Sequence, residues 1–384
     1  MRCYGPDIPE STAEFLKSAL AEKGHKKGYR TAPVRSTAIN RLAECERKFL
    51  WSERLGLQPR TYNSALSRGA WYHEYTRCFR LGLDPGPVSE EKWVKAEKEL
   101  IEDAGPDMLL PGGVDVASVL REMKEDQDVA FAMATAMWKR FPCPGPDSHF
   151  VIARDPQYRP IVENIYEVGL SSHIQGIQPI KFDCVICPAG NQKVLWIVDE
   201  KTTSLEPAVR ASSLSFSTQT FLYALALEYL TFQWGWQCGI AGFVHNVVKV
   251  PTIRQKQHEL FADYVKRVED WYAEDPDPGK SRMLQSWTRF SHTPTGAVEY
   301  PPDFFENLKA QKAASSRLPR FAKFPRREAA CFNFNRTCPY LPLCAADPAT
   351  WPGTIGQRFK FKFREDTETG IPLPILPPEN VDHV

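Results

Sequence analysis

The spacing of apolar residues divides the chain into a helical first part and a mixed middle part. Up to residue 140, apolar residues recur at helical intervals. They predict helices over 36–56, 61–84, 89–104 and 115–140. Between residues 161 and 249, alternating or continuous apolar runs are typical of strands. They predict strands over 161–170, 177–187, 193–199 and 238–249, a helix over 215–232, and further helices over 256–274 and 302–315. This order predicts an α/β protein with a mixed sheet flanked by helices.

Shifts in composition predict where one segment ends and the next begins. A Pro-rich break at Pro142–Pro146 ends the helical part, and prolines are again frequent after residue 345. The predicted segments are a polar and basic arm over 1–35, a helical region over 36–150 that carries Cys45 and His73, an α/β core over 151–255, a helical and basic region over 256–330, a cysteine loop over 331–345, and a Pro-rich tail over 346–384.

Composition excludes some classes of protein and leaves others open. Hydrophobic residues make up 42% and charged residues 25% of the chain, which is ordinary for a globular protein. The formal charge of +1 does not by itself indicate a nucleic-acid partner. The polar N-terminus shows no secretory signal, and the apolar stretch Phe221–Phe232 is interrupted by Glu228 and too short to span a bilayer. We therefore expect a cytoplasmic protein with no membrane partner.

Two acids and a lysine lie on the predicted strands. Asp183 stands in an apolar run, and Asp199 and Lys201 follow the apolar strand 194–198. A turn at 188–192 predicts a hairpin that brings Asp183 beside Asp199. Because strand residues alternate between faces, Asp199 and Lys201 point the same way and Glu200 points the other way. Carboxylates suit Mg²⁺ or Mn²⁺, and a nearby lysine can stabilise developing negative charge.

Two predicted helices carry further candidate residues, one over 215–232 after these strands and one over 61–84 before them. Gln219 and Tyr223 lie one helical turn apart on the same face. His73 follows Gly69 in the predicted helix 61–84. Taken alone, Tyr223 could be a core aromatic residue and His73 a structural histidine. Their functional assignment depends on their occurrence together with the acids and the lysine of the predicted strands.

Basic residues cluster near the C-terminal part of the chain. Five of them are interleaved with Phe321 and Phe324, namely Arg317, Arg320, Lys323, Arg326 and Arg327. A second basic stretch runs from Lys23 to Arg35. Both stretches can neutralise phosphates and bind nucleic acid, but a solvated face would have the same composition.

The chain contains ten cysteines, four of which form a metal-ligand pattern. Cys331, Cys338 and Cys344 lie close together around Pro339 and Pro342, and Cys45 is the candidate fourth ligand. In a chain without a secretory signal, such cysteines favour metal or cluster ligation over disulfides. A set of four thiolates can hold a [4Fe–4S] cluster, a [2Fe–2S] cluster or zinc, and the pattern does not choose among them.

The order of the candidate residues resembles the PD-(D/E)XK nuclease superfamily, in particular its RecB-like branch. The resemblance implies a restriction-endonuclease-like fold and assigns catalytic roles to Asp183, Asp199, Lys201, Gln219 and Tyr223. It also implies metal binding by His73, Asp183, Asp199 and the backbone carbonyl of Glu200. Glu163 lies near the first acidic position of the family, and Glu167 competes with it for that role.

The cysteines extend this resemblance to the iron–sulfur nucleases of the AddB and CRISPR-associated types. It implies a [4Fe–4S] cluster on Cys45, Cys331, Cys338 and Cys344 that joins the N-terminal and C-terminal helical parts. Three features depart from the family pattern: the six-residue gap after Cys331, Phe182 where the superfamily has proline, and Gly176 as the nearest glycine before Asp183.

The resemblance implies a Mg²⁺- or Mn²⁺-dependent DNA exonuclease that acts on single strands or duplex ends. Members of this size without a motor are often phage-encoded or CRISPR-associated, so helicase, recombination or CRISPR proteins are candidate partners. The alternative is an inactive DNA-binding or assembly module that keeps the fold and the cluster.

Overall fold

The structure of the protein is a computed structural model. It describes residues 8–22, 36–60, 62–104, 109–110, 114–142, 148–169, 177–215, 217–274, 281–317, 323–333 and 336–361.

The described residues contain α-helices on both sides of a central group of strands. The α-helices are α1 (Glu10–Glu22), α2 (Ser36–Glu44), α3 (Glu46–Phe49), α4 (Ser64–Leu81), α5 (Pro85–Ala104), α6 (Val116–Arg140), α7 (Pro207–Leu214), α8 (Thr218–Gln233), α9 (Phe261–Ala273), α10 (Phe304–Ser316), α11 (Leu341–Ala345) and α12 (Trp351–Arg358). A π-helix over Leu50–Arg54 continues α3, and 3₁₀ turns cover Glu328–Cys331 and Pro348–Thr350.

The strands form one larger sheet and several short pairs. They are β1 (Leu57–Pro59), β2 (Leu109–Leu110), β3 (Val114–Asp115), β4 (Phe150–Ile152), β5 (Ile165–Gly169), β6 (Ile177–Lys181), β7 (Cys184–Pro188), β8 (Val194–Thr203), β9 (Gly239–Lys249), β10 (Met283–Arg289), β11 (Phe332–Asn333), β12 (Arg336–Thr337) and β13 (Phe359–Phe361).

The central sheet has five strands in the order β10-β9-β8-β7-β4. Strands β8 and β9 are parallel and the other neighbours are antiparallel. The parallel pair requires a crossover, which α7 and α8 provide. Apolar residues of α8 pack on one face of the sheet, and Tyr72 and Arg80 of α4 contact Glu200 on the other face. This arrangement confirms the predicted mixed α/β sheet flanked by helices.

The strands differ from the sequence prediction at several places. The predicted strand 177–187 divides at Phe182 and Asp183 into β6 and β7. Within the predicted strand 161–170, residues 165–169 form β5, which pairs with β6 in a separate two-stranded sheet, and Val162 makes an isolated antiparallel bridge to Cys184. Strands β4 and β10 and helix α7 were not predicted, because short or irregularly patterned segments become regular here through pairing with the core strands.

The two ends of the described chain pack together in one apolar cluster. It combines residues of α1, such as Leu16, with Leu343, Trp351 and Ile355 near the C-terminus. The first part of the predicted Pro-rich tail forms α12 and β13, and β13 pairs with β1. Residues 362–384 lie outside the described residues. Within the described residues, none of the helices combines the length and the apolar character that a bilayer crossing requires.

Candidate active site

The hairpin of β7 and β8 brings the predicted acids and lysine together. Cys184 pairs with Val198, so Asp183 lies beside the C-terminal half of β8. One carboxylate oxygen of Asp183 accepts a hydrogen bond from the backbone N–H of Glu200 at 2.8 Å. On the same face of β8, the ammonium group of Lys201 lies 2.6 Å from Oδ1 of Asp199. The alternation of strand residues therefore places these side chains as the sequence predicted.

Three side chains converge beside this hairpin. The donor atoms of His73, Glu163 and Asp183 all lie within 4.8 Å of one another. Nδ1 of His73 is 3.2 Å from Oε1 of Glu163 and 3.6 Å from Oδ1 of Asp183. Two carboxylates and an imidazole form a donor set that suits Mn²⁺ or Mg²⁺.

Glu163 has an unusual backbone conformation. Its φ of 54° lies in the left-handed region, where residues other than glycine are uncommon. Its N–H donates to the carbonyls of Phe182 and Asp183 at 2.8 and 3.2 Å, and these bonds tie it to the break between β6 and β7. Between Glu163 and Glu167, the structure places Glu163 next to His73 and Asp183, whereas Glu167 lies on β5.

A second group of side chains surrounds Asp199. Nε2 of Gln219, on α8, lies 3.4 Å from Oδ1 of Asp199 and donates to the hydroxyl of Tyr223 at 3.0 Å. The Tyr223 ring contacts Phe182 edge to face, with ring centroids 5.5 Å apart. Gln219 and Tyr223 therefore lie next to the hairpin, and both face its acids.

His245 was missed by sequence reasoning. It lies on β9 opposite Asp199 in the parallel register, fully buried, with Nδ1 3.3 Å from Oδ2 of Asp199. The ring stacks on Phe243, with centroids 5.2 Å apart. Its only sequence signal is a polar residue within an apolar strand, and that signal does not reveal which strand lies beside it.

In His73, Glu163 and Asp199, burial and the neighbouring charges shift the side-chain pKa in opposite directions. Burial would lower the pKa of His73, but Asp183 and Glu163 raise it to about 9. Burial would raise the pKa of Glu163, but His73 and Lys181 lower it to about 2. Likewise Lys201 and His245 overcome the effect of burial on Asp199 and lower its pKa to about 2.

Asp183 behaves differently from the other two acids. Burial raises its pKa to about 6, and the negative charges of Glu163 and Asp199 oppose the attraction of His73. Three carboxylates share one buried region, so positive charge is favoured there. A divalent ion would supply this charge, and the donor set therefore fits such a group.

The four predicted cluster cysteines come together from distant parts of the chain. Cys45 interrupts the predicted helix 36–56 with an extended backbone between α2 and α3. The Cys338 N–H donates to the carbonyl of Cys331 at 2.8 Å, and the Trp51 indole donates to Sγ of Cys344 at 3.4 Å. Burial raises the pKa of Cys338 and of Cys344, and the nearby Cys45 raises both further.

Part of the predicted nucleic-acid surface makes contacts within the protein. Arg317 contacts Glu46 at 3.2 Å. The guanidinium groups of Arg326 and Arg327 donate to the carbonyls of Cys344 and Ala43, at 3.5 and 2.5 Å. Lys323, Arg326 and Arg327 are nevertheless exposed. Arg320 and the basic stretch from Lys23 to Arg35 lie outside the described residues.

The fold and the site together are those of an α/β protein whose mixed sheet presents acids and a lysine beside a candidate metal site. The family model of the PD-(D/E)XK nuclease superfamily matches residues 36–345, and the chain belongs to this superfamily. This membership indicates a nuclease that uses a divalent metal ion. A comparison with curated proteins finds no match.

Proposed function

We propose that the protein is a Mg²⁺- or Mn²⁺-dependent DNA exonuclease of the RecB-like branch, acting on single strands or duplex ends. The observation that carries this proposal is the convergence of His73, Glu163 and Asp183 beside the Asp199–Lys201 pair. The order of these residues, with Gln219 and Tyr223 following, supports the branch.

His73, Glu163 and Asp183 would hold the metal ion, with Asp199 and the backbone carbonyl of Glu200 beside them. The bound ion would polarise the phosphate and lower the pKa of a water molecule. The carbonyl of Glu200 lies 3.4 Å from the Lys201 ammonium, so it faces the same region.

Lys201 has the properties of an electrostatic stabiliser. Burial would lower its pKa, but Asp199 and Asp183 more than compensate and raise it. The ammonium group therefore stays charged and can stabilise negative charge on a phosphate. Gln219 hydrogen-bonds Tyr223 and approaches Asp199, which keeps the carboxylate next to Lys201.

Lys201→Ala tests the catalytic proposal, with the exposed Lys193→Ala as the matched control. On 5′- and 3′-labelled single-stranded DNA with Mg²⁺ or Mn²⁺, we expect the first change to lower the cleavage rate by about 10²–10³-fold, because one charge-stabilising group is lost. We expect the second to change it by less than about twofold. Equal rates for Lys201→Ala and wild type would overturn the role of Lys201. Binding without cleavage by wild type would favour the inactive DNA-binding module.

We further propose that Cys45, Cys331, Cys338 and Cys344 hold a [4Fe–4S] cluster. A set of four thiolates can hold such a cluster, and the resemblance to the iron–sulfur nucleases supports [4Fe–4S] over zinc. An anaerobic preparation should be brown and contain iron; zinc without iron would identify the alternative.

Lys323, Arg326 and Arg327 are proposed to contact DNA phosphates. Their exposure supports this proposal. Neutralising all three should reduce the salt dependence of DNA binding, because each phosphate contact releases a counterion.

A further inference from the structure

The side chain of Glu200 is buried on the face of β8 opposite Asp199 and makes contacts of its own. It is 1% exposed, and it forms an ion pair with Arg80, whose side chain is 3% exposed. Its other carboxylate oxygen accepts from the Tyr72 hydroxyl at 2.9 Å. Asn246 on β9 donates at 2.7 Å to Oε1 of Glu200, the oxygen that pairs with Arg80, and accepts a hydrogen bond from Gln285 on β10 at 3.0 Å. The carboxylate thus joins β8 directly to α4 and β9, and to β10 through Asn246.

The same residues border the candidate metal site. Tyr72 immediately precedes His73 on α4, and Arg80 follows His73 by about two helical turns, so it lies near the same stripe of the helix. The backbone N–H of Glu200 holds Asp183 at 2.8 Å. The main chain of Glu200 therefore contacts Asp183, and its side chain contacts α4, the helix that carries His73.

We propose that Glu200 is a positioning residue whose buried carboxylate, clamped by Arg80 and Tyr72, holds α4 so that His73 reaches Glu163 and Asp183. The proposal rests on the proposed metal-dependent function. The other donors of the site are oxygens on the β7–β8 hairpin and in the segment before β5, so His73, a nitrogen donor, is the ligand that depends on how α4 docks.

The clamp is effective because a buried charge without a partner is strongly destabilising. A buried carboxylate and guanidinium hold each other in a narrow range of geometry, since either one left alone carries a large desolvation cost. Apolar packing alone would permit small sliding of α4, and the two hydrogen bonds from α4 to Glu200 remove that freedom. Groups that orient metal ligands commonly affect metal affinity without touching the ion.

Mn²⁺ affinity of the full-length protein, measured by titration calorimetry without DNA, tests the proposal. Glu200→Gln and Arg80→Met should each weaken Mn²⁺ binding by about 10- to 100-fold. Arg80→Met distinguishes positioning from long-range charge, because loss of a nearby positive charge would by itself tighten cation binding. Mn²⁺ affinity for Arg80→Met equal to or above that of wild type would overturn the proposal.

Two further variants keep the result interpretable if these changes lower the yield of folded protein. Tyr72→Phe removes a single hydroxyl and should also weaken Mn²⁺ binding. Glu228→Gln is the matched acid-to-amide control; its carboxylate accepts from the Val298 N–H at 2.8 Å and from Tyr300, away from α4. It should leave Mn²⁺ affinity within about twofold. An equal loss of affinity in Glu228→Gln would show a general effect of destabilisation and contradict a specific clamp.

A double-mutant cycle tests whether Arg80 affects Mn²⁺ binding through the position of His73. His73→Ala should itself weaken Mn²⁺ binding, and adding Arg80→Met should then weaken it by no more than about twofold, because the residue being positioned is gone. If the two changes lowered Mn²⁺ affinity additively, Arg80 would not act through His73. Failure of wild type to bind Mn²⁺ or cleave DNA would refute the proposed function instead, so the two failures are distinguishable.

Discussion

Glu163 is the residue where backbone strain and candidate chemistry coincide. A left-handed backbone at a residue other than glycine costs roughly 1–3 kcal/mol and persists where surrounding structure enforces it. Here the enforcing contacts are its hydrogen bonds to Phe182 and Asp183. The residue with this conformation is the one whose carboxylate lies 3.2 Å from Nδ1 of His73.

Glu163→Gln should therefore weaken Mn²⁺ binding by about 10-fold or more, with Glu167→Gln as the control. The amide keeps the shape of the side chain but is a poorer ligand. Glu167 carries the same charge four residues later on β5, and its replacement should change the affinity by less than about twofold. Equal effects of the two changes, measured by Mn²⁺ titration, would contradict the assignment of Glu163 as ligand.

Residue-scale prediction from the sequence succeeded where it depended on strand alternation alone. The common orientation of Asp199 and Lys201, and the opposite one of Glu200, follow from the pleat of a single strand. His245 could not be found in this way, because its contact with Asp199 depends on the register of two strands separated by α7 and α8.

At the scale of elements, β9 must approach its neighbours closely to complete the sheet. A register irregularity occurs between Leu195 and Trp196, where β8 pairs with β9. At this point a Cβ on Gly242 would lie 2.0 Å from the carbonyl oxygen of Thr288 on β10 and 2.9 Å from the Trp196 ring. The absence of a side chain at Gly242 allows β8, β9 and β10 to pack at their observed spacing.

Gly242→Ala should lower the free energy of unfolding by about 1–3 kcal/mol or more, because the backbone must shift to admit the methyl group. Gly239→Ala is the matched control on the same strand, since its Cβ would meet nothing within 4 Å. That change should stay within about 0.5 kcal/mol. Urea denaturation measures both; similar stabilities for the two variants would show that the strands can separate without cost.

At the scale of the whole molecule, the four candidate ligand cysteines lie near the junction between the N-terminal and C-terminal parts of the described chain. Arg47 donates to the carbonyl of Phe324 at 2.7 Å, and the Tyr340 hydroxyl donates to the carbonyl of Leu57 at 2.7 Å. The Trp51 and Trp351 rings meet edge to face at 4.8 Å. The apolar residues of the sheet, such as Ile197 and Phe243, belong to a different cluster, so loss of a cysteine ligand should act first on this junction.

Cys45→Ser should therefore lower the iron content and the thermal stability more than Cys238→Ser does. Cys238 is a partly exposed thiol near β9 and belongs to no predicted ligand set. Ligand loss removes the free energy that a bound group adds to folding. Iron analysis and thermal melting check this expectation; equal melting temperatures and iron contents for the two variants would contradict cluster binding at Cys45.

The sequence alone determined the mixed sheet, the main helices and the hairpin that joins Asp183 to Asp199 and Lys201, because periodicity and tight turns are properties of adjacent residues. Tertiary structure decided the rest. The break between β6 and β7, the strained Glu163 and the approach of α4 through Glu200 all join segments far apart in the chain. Such contacts depend on burial and register across elements, and no local pattern records which elements will be neighbours.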